Sequence, residues 1–258
     1  MAAITSLQNT HIKLVRGLME QPKLRRSQCL FVAEGTRLLE DGLKSGVPCE
    51  FLLYREEHSK RTSEFLASLP PTLSVSSVEN RVFDEIAGTE SPQGVLGVFE
   101  IPQLPFPEHP DFLLILDRLR DPGNLGTILR SAEAAGVQAV LLSPESSDAF
   151  SPKVVRSGMG VHFRLPIQAW DWAAIKAAAT GLRVFCADMQ GHLPYWQANF
   201  RQPLALLMGS EAEGIGAEGL AIADQTVRIP MSGETESLNA AISTGIILFE
   251  VLRQRSAA

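Results

Sequence analysis

Four prolines within ten residues divide this chain into two parts. The segment 101–110 contains Pro102, Pro105, Pro107 and Pro110. Proline lacks a backbone N–H and fixes φ, which excludes this segment from a helix interior and from a central strand. Such stiffness is typical of an extended connection between domains. For a chain of 258 residues, we therefore predict a first domain over 1–101, a linker over 102–110 and a second domain over 111–258.

Beyond the linker, short apolar strands alternate with helical patterns. Phe112–Leu116, Ala139–Leu142 and Leu204–Met208 are continuous apolar runs, as expected of strands buried on both faces. Helical patterns follow at 124–135 and 170–179. This alternation predicts a parallel sheet covered by helices on both faces, which is an α/β fold.

The first domain is predicted to be a smaller, mixed α/β unit. Helical spacing of apolar residues occurs over 9–19 and 35–44. Short apolar strands are expected at 29–33, 51–54 and 95–100.

Cysteine and histidine usage argues against disulfides and metal ions. Cys29, Cys49 and Cys186 are far apart and form no C-x-x-C pair, and the five histidines form no H-E-x-x-H pattern. We predict reduced thiols and no bound metal. No apolar run approaches the roughly 18 residues of a membrane span, and the N-terminus has no apolar signal-peptide core. A cytoplasmic location is therefore expected.

Charge is distributed unevenly along the chain. The formal net charge is −6, yet the first 30 residues carry five basic side chains and one acidic side chain. An acidic whole argues against a nonspecific nucleic-acid binder. A basic segment on an acidic body suits local contact with a polyanion, although a solvated polar face explains the same charges equally well.

One glycine pattern imitates a dinucleotide-binding site. Gly214–Gly219 fits G-x-G-x-x-G letter for letter. That fingerprint must follow a strand directly, and an acid must end a second strand about 20 residues later. Here Ser210–Glu213 separates the glycines from the preceding strand, and the expected spacing falls near Asn239. A nicotinamide- or flavin-dependent oxidoreductase is therefore disfavoured.

Polar loops follow three of the predicted strands. Residues 117–132 contain a Pro-Gly turn and a helix whose apolar face leaves Arg130 at its edge, towards solvent or a partner. Residues 206–216 form a loop of glycines and acids, and in 229–239 Ser237 is the expected cap of the last helix. Each stretch has an ordinary explanation as a cap, a solvated side chain or a surface turn. The carboxyl ends of parallel strands are, however, where α/β sheets bind ligands.

In order and spacing, these stretches resemble the SpoU family of RNA ribose 2′-O-methyltransferases, part of the SPOUT superfamily. The matching residues are Asn124-x-Gly126-x-x-x-Arg130-Ser-Ala, Met208-Gly209-Ser-Glu211-x-x-Gly214, and Ile229-Pro-Met231 with Ser237-Leu238-Asn239. More weakly, Ala33-Glu34-Gly35 and Ser91-Pro-Gln93-Gly94-Val95 are similar to the family's substrate-binding domain, which has a ribosomal-protein-like α/β fold. One departure is Ala240-Ala-Ile-Ser243, where many relatives have Val-Ser-Val-Ala.

The resemblance implies a fold, a cofactor and an assembly. The second domain would be a SPOUT α/β domain with a deep trefoil knot, a rare exception to unknotted topology. The cofactor would be S-adenosyl-L-methionine, held by position at Gly209, Ile229, Met231 and Leu238. The protein would work as a homodimer in which each subunit lends Arg130 to its partner's site. The residues near the reaction would be Asn124, Arg130, Glu211, Ser237 and Asn239.

The chemistry assigns Arg130 a positioning role rather than the role of a base. A guanidinium stays protonated above about pH 12, so we expect it to bind the adjacent phosphate or to lower the pKa of the 2′-hydroxyl. A 2′-hydroxyl substrate implies RNA rather than DNA, and ribosomal RNA is favoured over transfer RNA. The alternative is a noncatalytic RNA-binding protein on the same fold. The expected phosphate contacts are Lys13, Lys23, Arg25 and Arg26, with Lys153, Arg156 and Arg164 in the second domain.

Overall fold

The computed structural model describes residues 3–88, 92–210, 213–233 and 237–256. It forms two compact units, one comprising Met1–Gln103 and Phe150–Arg164, the other Leu104–Ala149 and Leu165–Ala258. No helix or strand lies between Glu100 and Phe112, as the prolines require. The segment 150–164 joins the first unit because Val155 and Phe163 share its apolar core. The assignment of roles to the two domains stays a prediction at this point.

The first unit is a four-stranded sheet with helices around it. Its elements before the linker are α1 Thr10–Glu20, α2 Pro22–Gln28, β1 Leu30–Glu34, α3 Thr36–Ser45, β2 Cys49–Arg55, α4 Lys60–Ala67, β3 Val75–Val78, α5 Asn80–Ile86 and β4 Val95–Glu100. The strand order is β1-β4-β2-β3. Strand β4 is antiparallel to both of its neighbours, whereas β2 and β3 are parallel, which confirms a mixed α/β unit.

The second unit is built on a seven-stranded parallel sheet. The elements after the linker are β5 Phe112–Leu116, α6 Pro122–Ala134, β6 Ala139–Leu142, α7 Pro152–Gly158 (in the first unit), β7 Ile167–Ala169, α8 Trp172–Ala178, β8 Arg183–Ala187, β9 Leu193–Pro194, β10 Leu204–Met208, α9 Ala217–Leu220, β11 Gln225–Arg228 and α10 Ala240–Ser256. The order is β7-β6-β5-β10-β8-β11-β9, and all neighbours are parallel. Every residue of β5 and β10 is buried, as their uninterrupted apolar sequences predict.

Three local expectations were wrong, each for an identifiable reason. The apolar residues within 163–167 predict a strand there, but Val161–Phe163 form a 3-10 turn, and β7 begins only after Pro166, which cannot donate to a sheet. Helix α6 begins two residues before Asn124, because Asp121 accepts the Asn124 N–H at 2.7 Å. Helix α10 begins at Ala240 and not at Ser237. None of the helices in the described part of the chain has the length and apolarity that crossing a bilayer demands.

Candidate active site

The carboxyl ends of β10, β8 and β11 open onto one cavity of about 500 Å³. This volume falls within the roughly 300–1,000 Å³ of small-molecule sites. The buried side chains of Met208, Val227 and Ile247 give it an apolar floor. The rest of the lining mixes apolar residues with polar side chains, among them Asp188 and Ser210. The start of α10 completes the wall.

All four residues expected to hold the cofactor line this cavity. They are Gly209, Ile229, Met231 and Leu238, and Ser237 lies beside them. Two of the polar loops therefore meet at one place, as the carboxyl-end rule for parallel sheets requires. Glu211 lies outside the described residues.

A tight loop holds Gly209 at the cavity edge. Ser210 and Gly214 pair their backbones, with N–H to carbonyl distances of 3.2 and 3.0 Å. A Cβ placed on Gly209 would come within 2.3 Å of the Gly214 carbonyl carbon. Only glycine fits there. The glycine pattern Gly214–Gly219 belongs to this loop and to the short helix α9, and it does not form the strand-to-helix turn of a dinucleotide site.

A hydrogen bond joins the first motif to the third. The Asn239 side-chain N–H donates to Asn124 Oδ1 at 2.9 Å. The other side-chain atom, Asn239 Oδ1, accepts the backbone N–H of Ala241 at 2.9 Å. Asn239 is therefore the N-terminal cap of α10, the role expected for Ser237. One amide side chain both begins the helix and fixes its neighbour Asn124.

An ionic network, which the motif analysis missed, ties the first loop to the second. The Glu213 carboxylate accepts from Arg118 Nη1 at 2.8 Å and from Arg120 Nη1 at 3.0 Å. The carboxylate of Asp117, buried at the end of β5, accepts the Gly216 N–H at 2.7 Å. Opposite charges in two loops at the same sheet edge were the available signal. Single exposed ion pairs contribute only about 0–1 kcal/mol, but shared partners give this loop several simultaneous restraints.

The loop after β8 was also missed. Asp188 and Met189 line the cavity directly after that strand ends. The sequence predicts a strand over 182–187, within one residue of β8, and the carboxyl-end rule applies to it as to the others. The sequence Asp188-Met189 simply resembles no motif.

Arg130 occupies a different position from the cavity residues. It lies on the exposed face of α6 and is not among the described residues that line the cavity. Helix α6 packs against α10, whose outward face exposes Ile242 and Phe249 by 55% and 48%. The two packed helices thus each expose side chains, Arg130 on α6 and large apolar residues on α10.

The predicted RNA contacts divide into exposed and buried residues. Lys13, Lys23 and Arg26 are exposed, and so is Arg156, whose Nη2 donates to the Gly88 carbonyl at 2.9 Å. Arg25 is different, because its side chain is only 3% exposed. Its guanidinium donates to the carbonyl of Leu18 and, at 3.4 Å, to that of Met19, at the end of α1. We therefore correct its assignment from an RNA contact to a structural cap of α1.

Neither buried thiol is suited to act as a nucleophile. Burial raises the pKa of both Cys49 and Cys186 to about 12, which keeps them protonated at neutral pH. The described residues also contain no cluster of three or more His, Cys, Asp or Glu side chains that could hold a metal ion.

The cavity suits S-adenosyl-L-methionine in shape and chemistry. The apolar floor can bury an adenine ring, and the carboxylate of Asp188 suits a hydroxyl or ammonium group. The absence of a side chain at Gly209 lets a ligand approach the backbone closely. Each of these features comes from the protein's own residues.

A parallel α/β domain with a cofactor cavity between these loops defines the class as a SPOUT-type methyltransferase. The chain belongs to the SpoU rRNA methylase family, whose model matches residues 111–249. The model of an MRM3-like substrate-binding domain matches residues 9–97. The chain is thus an S-adenosyl-L-methionine-dependent RNA 2′-O-methyltransferase.

Similar proteins cover nearly the whole chain. The 23S rRNA (guanosine(2553)-2′-O)-methyltransferase RlmP of Bacillus subtilis is 30% identical over 97% of this chain and 99% of its own length. The 23S rRNA (uridine(2479)-2′-O)-methyltransferase of Streptomyces viridochromogenes is 34% identical over 87% and 83%, respectively. The AdoMet-bound rRNA methyltransferase of Sinorhizobium meliloti is 35% identical, covers 98% of this chain and 97% of its own, and superposes with a TM-score of 0.85.

Proposed function

We propose that this enzyme methylates one ribose 2′-hydroxyl of 23S ribosomal RNA. The observation that carries the proposal is the convergence of separated motif loops on one cofactor-sized cavity. The Bacillus and Streptomyces relatives are both named for 23S rRNA, one for a guanosine and one for a uridine. Since those two bases differ, the proposal extends to the ribose and not to the base. A cytoplasmic location is part of the same proposal.

The chain's own residues have mainly to align the reactants. When bound, S-adenosyl-L-methionine supplies a methyl group already activated on a sulfonium centre. The cavity floor at Met208, Val227 and Ile247 offers apolar surface to the cofactor, and the Gly209 loop forms its edge. The Asn124–Asn239 pair holds polar groups beside the cavity. Holding two reactants in line in this way can lower a barrier by about 7–11 kcal/mol.

We assign the face formed by α6 and α10 to a second copy of the chain. Arg130 lies on the exposed side of α6, and Ile242, Ile246 and Phe249 follow at the spacing of one helical stripe on α10. Covering Ile242 and Phe249 would remove apolar surface from water. In the proposed homodimer, Arg130 enters the partner's site and contacts the phosphate next to the target ribose. The trefoil knot of the family also stays a prediction.

Exposed basic side chains of the first unit are the proposed RNA contacts. Lys13 lies on α1, Lys23 and Arg26 lie on α2, and Arg156 lies on α7, a helix of the same unit. Arg25 is excluded by its burial. Each phosphate contact contributes to a salt-dependent affinity.

Methyl transfer to purified RNA tests the proposal. The enzyme would be incubated with tritiated S-adenosyl-L-methionine and, in separate reactions, with in vitro transcripts of 23S rRNA, 16S rRNA and a tRNA mixture. We expect label in 23S rRNA at one nucleotide, mapped as a 2′-O-methyl group by resistance to alkaline cleavage. Label on a base, or in tRNA alone, would contradict it.

A further inference from the structure

A second cavity lies in the first unit, where the two segments similar to a substrate-binding domain meet. Its volume is about 490 Å³. Its wall includes Thr36, which directly follows the first segment, and Pro92, Gln93 and Gly94 of the second. The Gln93 N–H donates to Glu34 Oε1 at 3.3 Å, and the Gly35 N–H donates to the Val95 carbonyl at 2.9 Å. Two segments far apart in the chain are thus held together around this cavity.

Cations and hydrogen-bond donors dominate the wall of this cavity. Arg55 ends β2, and His58 and Arg61 follow between that strand and the first turn of α4. The hydroxyls of Thr36, Ser59 and Thr62 add further polar groups, and Glu57 adds one negative charge. Such a set of side chains suits an anion.

Both arginines retain binding capacity. Arg55 Nη2 lies 3.3 Å from Asp84 Oδ2, which fixes one side of the guanidinium. Its Nε is buried and has no hydrogen-bond acceptor among the described residues. A buried N–H without an acceptor is unfavourable, so this guanidinium has hydrogen-bonding capacity that the described residues leave unused. Arg61 is 63% exposed and contacts Glu40 only at 3.8 Å, so its guanidinium is free to turn towards a ligand.

We propose that this cavity binds the phosphodiester of one unpaired nucleotide of the substrate RNA and so anchors the RNA on the first unit. Guanidinium groups match phosphate oxygens with paired hydrogen bonds. A concave site of this size admits a single unstacked nucleotide but no duplex, and unstacked nucleotides are the usual targets of RNA recognition. This inference rests on the proposed RNA methylation. It places an RNA contact away from the basic residues of α1 and α2 that charge alone indicated.

The test is the binding of a fluorescently labelled 23S rRNA transcript across a salt series. The double variant Arg55→Gln, Arg61→Gln removes both charges from the cavity wall. We expect at least a tenfold loss of affinity, with the slope of log K against log salt reduced by about one to two. Calorimetry should show unchanged S-adenosyl-L-methionine binding. The control Lys44→Gln, Lys176→Gln removes two exposed charges elsewhere and should bind nearly as the wild type does.

The outcomes separate the anchor from the methylation itself. Equal affinity and slope in the cavity variant and the control variant would overturn the anchor. Should Arg55→Gln lower the melting temperature, Arg61→Gln and Gln93→Glu test the same point singly, since the second adds a repulsive charge. Restoration by Arg55→Lys, Arg61→Lys would support a charge contact. If the wild-type enzyme bound the transcript but transferred no methyl group, the proposed function would be refuted. The proposed RNA anchor would then still be decided by the affinities of the cavity and control variants.

Discussion

The two cavities are nearly equal in volume, at about 500 and 490 Å³, but their walls differ in kind. In the second unit, the floor is apolar and the edge is formed by closely packed backbone at Gly209. In the first unit, the wall consists of arginines, hydroxyls and an amide. The cavity of the second unit suits a compact cofactor by its shape, whereas the cavity of the first unit suits a charged polymer by its electrostatics. We therefore expect substitutions that change side-chain size to impair the cavity of the second unit, and substitutions that change charge to impair the cavity of the first unit.

The largest effect is expected from adding one carbon at Gly209. In Gly209→Ala, the new Cβ would meet the Gly214 carbonyl carbon at 2.3 Å, so the loop must move. We expect at least a 100-fold loss of S-adenosyl-L-methionine affinity by calorimetry, together with loss of methyl transfer. Gly46→Ala is the control, because a Cβ on Gly46, in the first unit, would meet no atom within 4 Å, although its φ is +76°. Its expected cost is about 1 kcal/mol of folding stability, without loss of cofactor binding. Normal cofactor binding by Gly209→Ala would show that the cavity edge is not shape-selective.

Arg130 should affect the rate of chemistry without affecting cofactor binding. We expect Arg130→Ala to slow single-turnover methylation by about 100-fold, and Arg130→Lys by about tenfold, because lysine keeps the charge but not the fork. Arg183→Lys, on an exposed strand end, is the control. Mixing equal amounts of Arg130→Ala and Gly209→Ala should restore about a quarter of wild-type activity, since half of all dimers are then mixed and each mixed dimer has one intact site of two. No recovery on mixing would contradict a shared site.

Adjacent arginines of α2 should separate stability from RNA binding. Arg25→Gln removes a buried donor from the end of α1, so we expect the free energy of unfolding to fall by about 1.5–3 kcal/mol. Arg26→Gln removes an exposed charge, and its stability should change by less than about 0.5 kcal/mol while the salt slope of RNA binding decreases. Denaturant unfolding and RNA titration measure both. If Arg25→Gln instead weakened RNA binding without lowering stability, Arg25 would have to be counted among the RNA contacts.

The smallest effect concerns the buried thiols, one in each unit. The pKa of Cys49 and of Cys186 rises from 9.0 to about 12 through burial. Above pH 9 the unfolded thiol ionises while the folded thiol stays protonated, so ionisation stabilises the unfolded state. We expect the free energy of unfolding to fall as the pH rises above 9, by less than the roughly 1.4 kcal/mol per pH unit that a fully buried thiol would give at Cys49, which solvent reaches in part, and by no more than that at Cys186. Cys49→Ala and Cys186→Ala should each reduce that slope, measured by denaturant unfolding from pH 8 to 10.5. Unchanged slopes would mean that these thiols also ionise in the folded protein.

Sequence patterns predicted the central strands of the seven-stranded sheet better than its edge strands. Strands such as β5 and β10 are continuous apolar runs, because both faces are buried, and their bounds were correct. The two-residue strand β9 gives no such signal. Because of Pro166, β7 begins later than predicted. The basic run that forms α2 was not recognised as a helix, although Pro22 lies in its first turn.

The sequence predicted those parts of the site whose backbone geometry depends on glycine residues and on their spacing from the strands. Gly209, Ile229, Met231 and Leu238 converge because each follows or precedes a strand of one sheet. Side-chain partners were harder to predict, since the Asn124–Asn239 bond spans 115 positions. The burial of Arg25 was equally hidden, because Arg26 beside it has the same charge.

The position of β10 has a consequence for synthesis of the chain. This strand lies between β5 and β8, which both precede it in the sequence. The two halves of the sheet therefore share no hydrogen bonds until the ribosome has produced residues 204–208, and α10 follows later still. Formation of the cofactor cavity must be among the last events of folding, and contacts this distant in sequence make it slow. A nascent chain arrested before β10 would carry its first unit complete and its second unit unfinished.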